Sequence, residues 1–144
     1  MKRRRAREYA LQILFQLELA GTELNDDLLK AFWKGINHEP DDLKEFTQII
    51  VHETLANLDK IDETIKKAAK NWSLERMAAI DRNILRAATY ELSFREDIPA
   101  SVTINEALEI AKKFSTEESA SFINGILDRI ANESPRKKKP KTKR

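Results

Sequence analysis

Apolar side chains recur every three to four residues along most of the chain, and this spacing places them on one face of an α-helix. The first such stretch covers residues 4–20 and ends at Gly21, a residue suited to a helix C-cap. Three glycines and four prolines in 144 residues are too few for the many turns of a β-sandwich or barrel. The pattern therefore predicts an all-α fold of about seven helices. After the first helix, the predicted helices begin at residue 26 behind the N-cap Asn25, cover 42–57, 60–70 and 74–94, begin again at 103, and cover 116–132.

Several of these boundaries depend on single capping residues. Asp59 is the expected N-cap of the fourth helix and Ser73 that of the fifth, in which periodicity alone does not reveal a kink. Thr103, with Glu106 three residues later, forms a capping box that predicts the start of the sixth helix. Gly125 lies in the middle of the seventh helix, where a glycine costs helix stability. We expect it to allow the close approach of another backbone.

Charge is distributed unevenly along the chain. Residues 1–7 carry five bases and residues 134–144 carry seven, and neither stretch contains an acid. Residues 8–133 hold 14 bases and 24 acids, so this body carries a charge of −10. Basic ends on an acidic body suggest that the ends bind polyanions. We expect one helical domain over 1–133 and a disordered basic tail over 134–144, since the tail has no apolar residue beyond its prolines.

The composition excludes several classes of protein. A chain without cysteine has no disulfide framework, zinc–thiolate site, iron–sulfur cluster or thiol nucleophile. No apolar run is long enough to span a membrane, and Glu8 and Glu18 oppose a targeting signal, so a cytoplasmic location is expected. His38 and His52 lack the partners of a Glu-x-x-His metal site, and no glycine-rich phosphate loop occurs. We therefore expect no enzyme activity, no metal and no cofactor.

The basic start of the chain is the strongest candidate for a binding site. At 100° per residue, its basic side chains point in nearly every direction, so the first turn is expected to project from the body or to fray. Arginine forms forked hydrogen bonds to phosphate and stacks on exposed bases, which favours nucleic-acid binding over a merely solvated helix start. The bases concerned are Lys2, Arg3, Arg4, Arg5 and Arg7.

Two phenylalanines allow two interpretations each. Leu11, Phe15 and Leu19 form a ridge opposite the main apolar stripe of the first helix. Either this helix is buried on two sides, or Phe15 belongs to a surface that meets a partner. Phe122 is either a core residue or, with Lys113 nearby, a platform on which a base stacks.

Three segments, RRRAREYALQILFQLE, NWSLERMAAIDRNILRAATYEL and IPASVTINEALEIAKKFSTEESASFINGILDRIA, resemble the bacterial transcription antitermination factor NusB family in their order and spacing. The resemblance implies two three-helix bundles and a bacterial, cytoplasmic protein. It also implies binding to the single-stranded boxA element of nascent ribosomal RNA, jointly with the ribosomal protein NusE. RNA polymerase and the other Nus factors are then indirect partners.

The resemblance also assigns roles to individual residues. The arginine-rich start corresponds to the family's RNA-contacting arm, and Asp81 corresponds to the acid that faces NusE. Lys113 joins the RNA-binding set because it lies near Phe122. The predicted RNA-binding residues are Arg3, Arg4, Arg5, Arg7, Phe15, Lys113, Glu118 and Phe122.

Three alternatives to an RNA adapter make different demands on the chain. A helical protein-interaction module would bind polyanions only nonspecifically. A helical hydrolase would need a pair of inward carboxylates with raised pKa values. The related helical domain of ribosomal RNA cytosine methyltransferases precedes a catalytic cysteine, which a cysteine-free chain lacks. Self-association into a homodimer, through the face that binds a partner, stays open at this point.

Overall fold

The computed structural model describes residues 2–133, and regular structure within that range is entirely helical. The all-α prediction with about seven helices is confirmed. The helices are α1 (Arg3–Ala20), α2 (Asp26–Lys34), α3 (Asp41–Ala56), α4 (Leu58–Ala68), α5 (Ala79–Phe94), α6 (Ala100–Phe114) and α7 (Glu117–Glu133), with one 3₁₀ turn (Leu74–Arg76) before α5.

Helix α5 lies at the centre of the molecule. Helices α1 and α3 pack against each other and against α5, while α4 and α6 each pack against both α5 and α7. The two groups of helices that the family resemblance implies are therefore joined along α5. Their contact buries a continuous core, whose largest fully buried apolar side chains are Ile13, Leu43, Ile50, Ile61, Ile65, Leu85, Leu92, Ile98, Ile123, Ile126 and Leu127.

Three of the predicted helix ends rest on the expected local chemistry. Gly21 adopts a left-handed conformation with φ of 66° and closes α1, as a C-cap glycine does. The Asn25 side chain accepts a hydrogen bond from the Leu28 backbone N–H at 2.8 Å, which caps α2. The hydroxyl of Thr116 does the same for the N–H of Ser119 at 2.9 Å, at the start of α7.

The fifth helix is shorter than predicted. Residues 74–94 do not form one helix, because Met77 and Ala78 adopt extended backbone conformations with ψ of 148° and 141°. This break leaves carbonyl groups without helical partners. Arg82 compensates for it, since its Nη1 donates to the carbonyls of Leu74 at 3.0 Å and Met77 at 2.8 Å. Ser73 precedes the 3₁₀ turn and makes no side-chain capping bond there.

The predicted capping box is wrong. Helix α6 begins three residues earlier, at Ala100, behind Pro99 as N-cap. Thr103 is buried within α6 and donates its hydroxyl proton to Glu91 Oε1 at 2.9 Å, while Glu106 accepts two hydrogen bonds from Arg4. Both side chains thus bind neighbouring helices, and these tertiary contacts outweigh the local capping signal.

Two further local predictions are also wrong. Helix α4 begins at Leu58, with Asn57 at the N-cap position, so Asp59 lies in the first turn, where the helix dipole favours an acid. No atom of a neighbouring segment lies within 4 Å of a Cβ added at Gly125. The expected close approach of a second backbone at that glycine therefore does not occur.

The interpretation of α1 as a helix buried on two sides is confirmed along most of its length. Leu11 is only 3% exposed, whereas Leu19, two turns further along the same ridge, is 72% exposed. Phe15 lies between them and is half-buried. The ridge therefore leaves the core gradually, and Phe15 stands at its boundary with solvent.

Candidate nucleic-acid and partner interface

The arginine cluster (Arg3, Arg4, Arg5 and Arg7) belongs to a regular helix. Helix α1 begins at Arg3, and each of the four guanidinium groups contacts an acidic or aromatic side chain of another part of the chain. The expectation that the first turn projects or frays is therefore wrong. The cluster lies on the folded body, and Arg4, Arg5 and Arg7 form forked hydrogen bonds with three different carboxylates.

Arg7 points into the protein. Its side chain is 9% exposed, and its Nε and Nη2 donate to the two carboxylate oxygens of Glu91 at 2.8 and 2.9 Å. Glu91 also accepts the hydroxyl proton of Thr103, so one buried network joins α1, α5 and α6. A charge buried in this way persists only when it is paired and hydrogen-bonded. Arg7, predicted as an RNA contact, thus occupies the position of a structural residue.

Arg4 and Arg5 lie on the outer side of the same turns. The Arg4 fork binds both carboxylate oxygens of Glu106 at 2.7 and 2.9 Å, and Arg5 binds Glu39 with the same two distances. The two arginine side chains remain 48% and 44% exposed. These hydrogen bonds hold the pKa of each carboxyl below its usual value, and the Tyr9 hydroxyl, which also donates to Glu39, adds to the effect there.

Arg3 lies over an aromatic ring. Its guanidinium carbon is 4.5 Å from the centre of the Phe46 ring, and those of Arg95 and Arg7 are 5.4 and 5.5 Å from the same centre. Cation–π attraction to the ring face holds such groups without consuming their hydrogen-bond donors. Three positive charges therefore gather around one buried phenylalanine, beside the exposed surface of the arginine cluster.

Lys113 lies on α6, next to the helix that carries the arginine cluster. Its Nζ is 3.1 Å from Glu8 Oε1, and Arg4 pairs with Glu106, so α1 and α6 lie side by side and run in the same direction. Two turns separate Glu106 from Lys113, about 10 Å along the helix. Phe15 lies two further turns beyond Glu8 on the same face of α1.

The structure brings Asp81, Glu118 and Phe122 together in one groove of about 260 Å³ at the start of α7. Trp72, which is 56% exposed, meets Phe122 edge to face with ring centres 5.6 Å apart. The two rings form one wall of what we call the aromatic groove. Its lining residues are Trp72, Arg76, Met77, Ala78, Asp81, Glu118, Ser119 and Phe122.

Asp81 is more deeply placed than an acid on an open docking face. It is only 7% exposed, and its Oδ2 accepts a hydrogen bond from the Ser119 hydroxyl at 2.8 Å. Its Oδ1 has no hydrogen-bond partner among the described residues. Asp81 therefore keeps hydrogen-bonding capacity that the described residues leave unused.

Some residues of this surface were not predicted from the sequence. Trp72 lies between Asn71 and Ser73 in a polar connection, and a large aromatic residue in such a place is a signal that could have been used. Glu39 and Glu106 gave no such signal, because only the tertiary structure brings them to Arg5 and Arg4.

Residues 2–133 offer little for other kinds of site. No group of three or more histidine and acidic side chains in that range could hold a metal ion. In the same range, no helix is both long enough and apolar enough to cross a membrane. The basic tail over 134–144 lies outside the described residues.

The arginine cluster, from Arg4 onwards, and the aromatic groove lie within a domain shared with known proteins. The sequence profile of the NusB family matches residues 4–132. The chain belongs to the NusB family. The match includes the arginine cluster from Arg4 onwards, Lys113 and the residues of the aromatic groove, so both parts of the surface lie within the NusB domain.

Curated relatives and solved structures agree with this assignment. Proteins named transcription antitermination protein NusB are 48% identical in Thermodesulfovibrio yellowstonii, covering 92% of this chain and 93% of that protein, and 50% identical in Desulfitobacterium hafniense, covering 98% and 95%. The structure of T. maritima NusB superimposes with a TM-score of 0.83 at 42% identity, covering 93% of each chain. A solved complex of the antitermination factors NusB and NusE with double-stranded RNA matches with a TM-score of 0.81 at 28% identity, covering 92% and 98%.

Proposed function

We propose that this protein is a transcription antitermination factor that binds the single-stranded boxA element of nascent ribosomal RNA together with NusE. It acts as a non-enzymatic adapter in the bacterial cytoplasm and reaches RNA polymerase and the other Nus factors only through that assembly. The observation that carries the proposal is the match to the NusB family over residues 4–132. That range holds the exposed arginines from Arg4 onwards, Lys113 beside them on α6, and the aromatic groove.

The outer arginines supply the attraction for phosphate. Arg3, Arg4 and Arg5 are exposed at the start of α1, and each guanidinium offers a planar fork that matches two phosphate oxygens. Lys113, 60% exposed in its side chain, adds a flexible charge further along the same surface. Arg7 is a positioning residue, because its pair with Glu91 fixes the start of α1 against α5. Its guanidinium points into the protein and not towards the RNA.

Aromatic side chains supply the contacts to bases. Phe15 and Phe122 are half-buried, so each presents one part of its ring to solvent. Unstacked bases of single-stranded RNA gain about 1–3 kcal/mol each by stacking on such rings. Glu118 stands at the rim of the aromatic groove, where its charge repels phosphate and directs the backbone of the RNA towards Lys113.

Asp81 supplies the contact to the protein partner. Asp81 lines the aromatic groove next to its RNA-binding part, where its negative charge attracts a basic side chain of NusE. A shared boundary of this kind couples the two ligands by linkage. A coupling of about 1–3 kcal/mol makes RNA binding roughly 5- to 150-fold tighter with the partner bound, and the reverse holds equally.

The proposal is tested by titrating labelled boxA-like and scrambled single-stranded RNA with the full chain, with and without NusE, over a range of salt concentrations. We expect weak binding by the protein alone, and tighter, boxA-selective binding with NusE. The variant R3A/R4A/R5A should bind less well, and its log–log salt slope should be shallower by roughly 0.7 for each phosphate that the variant no longer neutralises.

Two controls separate this proposal from nonspecific polyanion binding. A variant in which the bases of residues 134–144 are replaced by alanine should keep its preference for boxA. Sedimentation of the free protein shows whether a homodimer competes with NusE. If boxA and scrambled RNA bind equally with NusE present, or if the triple variant keeps the full salt slope, the adapter function is wrong.

A further inference from the structure

We propose that Glu39 and Glu106 compete with RNA phosphate for Arg5 and Arg4. In the free protein the two carboxylates occupy the forks of these arginines and thereby limit the affinity of the protein for RNA. The inference rests on the proposed function, since it concerns how the same arginines meet RNA. It assigns a role in binding to two acidic residues that belong to neither the arginine cluster nor the aromatic groove.

The two carboxylates imitate the way a phosphate would bind. Each accepts one hydrogen bond from Nε and one from Nη2 of its arginine, at 2.7 and 2.9 Å, in the parallel arrangement that phosphate oxygens also adopt. Their depressed pKa values keep both carboxyl groups ionised at neutral pH. A phosphate that approaches Arg4 or Arg5 therefore meets a fork that is already filled and a charge that is already neutralised.

Exposure indicates that these two pairs can be exchanged. The arginine side chains are 48% and 44% exposed, whereas Glu106 and Glu39 lie behind them at 18% and 7%. Because the arginine of each pair faces solvent, a competing anion can reach it and displace the carboxylate. The Arg7–Glu91 pair has the same forked geometry but is buried on both sides, and RNA cannot reach it.

The two competitors come from independent parts of the chain. Glu106 lies on α6, and Glu39 lies in the connection between α2 and α3, where it also accepts the Tyr9 hydroxyl. Each contacts a different arginine of the cluster. Their effects on RNA affinity should therefore multiply rather than overlap.

The test uses the full chain with the variants E39Q and E106Q, because glutamine keeps the shape and a hydrogen-bond acceptor but removes the charge. Each should tighten binding of boxA-like RNA by about two- to five-fold, which is what an exposed ion pair can contribute. The double variant should tighten it by about four- to twenty-five-fold if the sites are independent. Circular dichroism and thermal unfolding confirm that the variants are folded.

A matched control separates direct competition from a general change of charge. Glu109 lies on α6, one turn beyond Glu106, and its charge is close enough to act on Arg4, yet its ion pair is with Lys112 at 3.6 Å. E109Q makes the same change of charge without opening an arginine fork. It should change RNA affinity less than E106Q does.

Double-mutant cycles provide the decisive measurement. In an R4A background E106Q should lose most of its effect, and in an R5A background so should E39Q. An undiminished gain in those backgrounds, or weaker binding by E39Q and E106Q, would overturn the proposal. Weaker binding would mean that the carboxylates orient the arginines for RNA instead of competing with it.

The same titrations with oligouridine distinguish this inference from the proposed function. If the glutamine variants tighten binding to both RNAs but no preference for boxA exists with NusE present, competition is correct and the antitermination role is wrong. If boxA is preferred with NusE present and the glutamine variants do not tighten binding, the antitermination role is correct and the competition is wrong. If neither RNA binds the wild type or the variants, both proposals are wrong.

Discussion

Arginines lie on both the inner and the outer side of the first turns of α1, and the two sides have different roles. Arg7 on the inner side is paired with Glu91 in the core, whereas Arg4 and Arg5 on the outer side are paired with Glu106 and Glu39 at the surface. All three pairs are forked, with nearly equal distances. Geometry alone therefore does not separate a structural arginine from a binding one, and burial does.

Burial changes the energy of a pair because it changes the cost of leaving one partner alone. Opening a pair whose arginine is exposed leaves that arginine in water, and pairs exposed on both sides contribute only about 0–1 kcal/mol. Removing one partner of a buried pair leaves a charge that water cannot reach, at a cost of about 3–5 kcal/mol. The inner pair thus anchors α1, whereas the outer pairs hold arginines that a ligand can reach by displacing their acids.

The largest effect is expected from breaking the inner pair. The variant E91A removes both acceptors of the Arg7 fork and the acceptor of the Thr103 hydroxyl. The free energy of unfolding, measured by urea denaturation, should fall by about 3–5 kcal/mol. E109A on α6 serves as the exposed control and should change it by less than about 0.5 kcal/mol.

A second variant sharpens the meaning of that loss. Replacing the pair together, as R7M/E91L, removes both buried charges and should restore much of the stability lost in E91A, because neither side chain is then a charge without a partner. A loss below about 1 kcal/mol in E91A would contradict the distinction between inner and outer arginines, since it would place the Arg7 pair in the exposed class.

A smaller effect on stability and a larger one on binding are expected from the outer pairs. R4A and R5A should each lower the free energy of unfolding far less than E91A does, because the arginine that is removed faces solvent. Each should weaken binding to single-stranded RNA by about three- to ten-fold and make the salt slope shallower by roughly 0.7. Fluorescence titration over a range of salt measures both quantities, and a stability loss equal to that of E91A would remove the contrast.

The smallest effect concerns pH and involves Arg95, which lies on the same phenylalanine as Arg3 and Arg7. Its guanidinium hydrogen-bonds Asp97 and lowers the pKa of that carboxyl to about 2. Between that pH and the ordinary aspartate value of about 4, the unfolded chain binds more protons, so stability rises with pH. The contribution is present above about pH 4 and is lost as the pH falls through about 2.

The variant D97N tests this contribution. Its unfolding free energy should vary less between about pH 4 and pH 2 than that of the wild type, and the difference should shrink in 1 M salt because Asp97 is 57% exposed. Urea denaturation at a series of pH values measures it. Identical pH dependence in the two proteins would show that the exposed Arg95–Asp97 pair does not contribute to stability.

The helices could largely be predicted from the sequence, because their determinants are local. Gly21 and Asn25 act on backbone groups within a few residues, and the apolar periodicity is repeated over whole helices. The capping box failed because the side chains expected to cap a helix bind residues of other helices. Thr103 binds Glu91 and does not cap a helix, and Arg82 satisfies the carbonyls that a break before α5 exposes.

The surface could be predicted only in part. Arg4 and Arg5 were identified by residue type and are indeed exposed, and the family resemblance singled out Phe122, which lines the aromatic groove. The exposed position of Trp72 beside Phe122 was not anticipated. Nor was the split of the arginine cluster, because a 100° step per residue says that Arg7 faces away from Arg5 without saying which of them meets the core.

The sequence by itself determined the helical class, most helix ends and the concentration of arginines at the start of the chain, since these depend on neighbours within one or two turns. Only the tertiary structure decided which arginine is buried and which acids fill the forks of the others. That decision depends on α5, α6 and the connection before α3, whose side chains lie 34 to 102 residues away in the chain. Burial and pairing over such distances are properties of packing, and no local pattern encodes them.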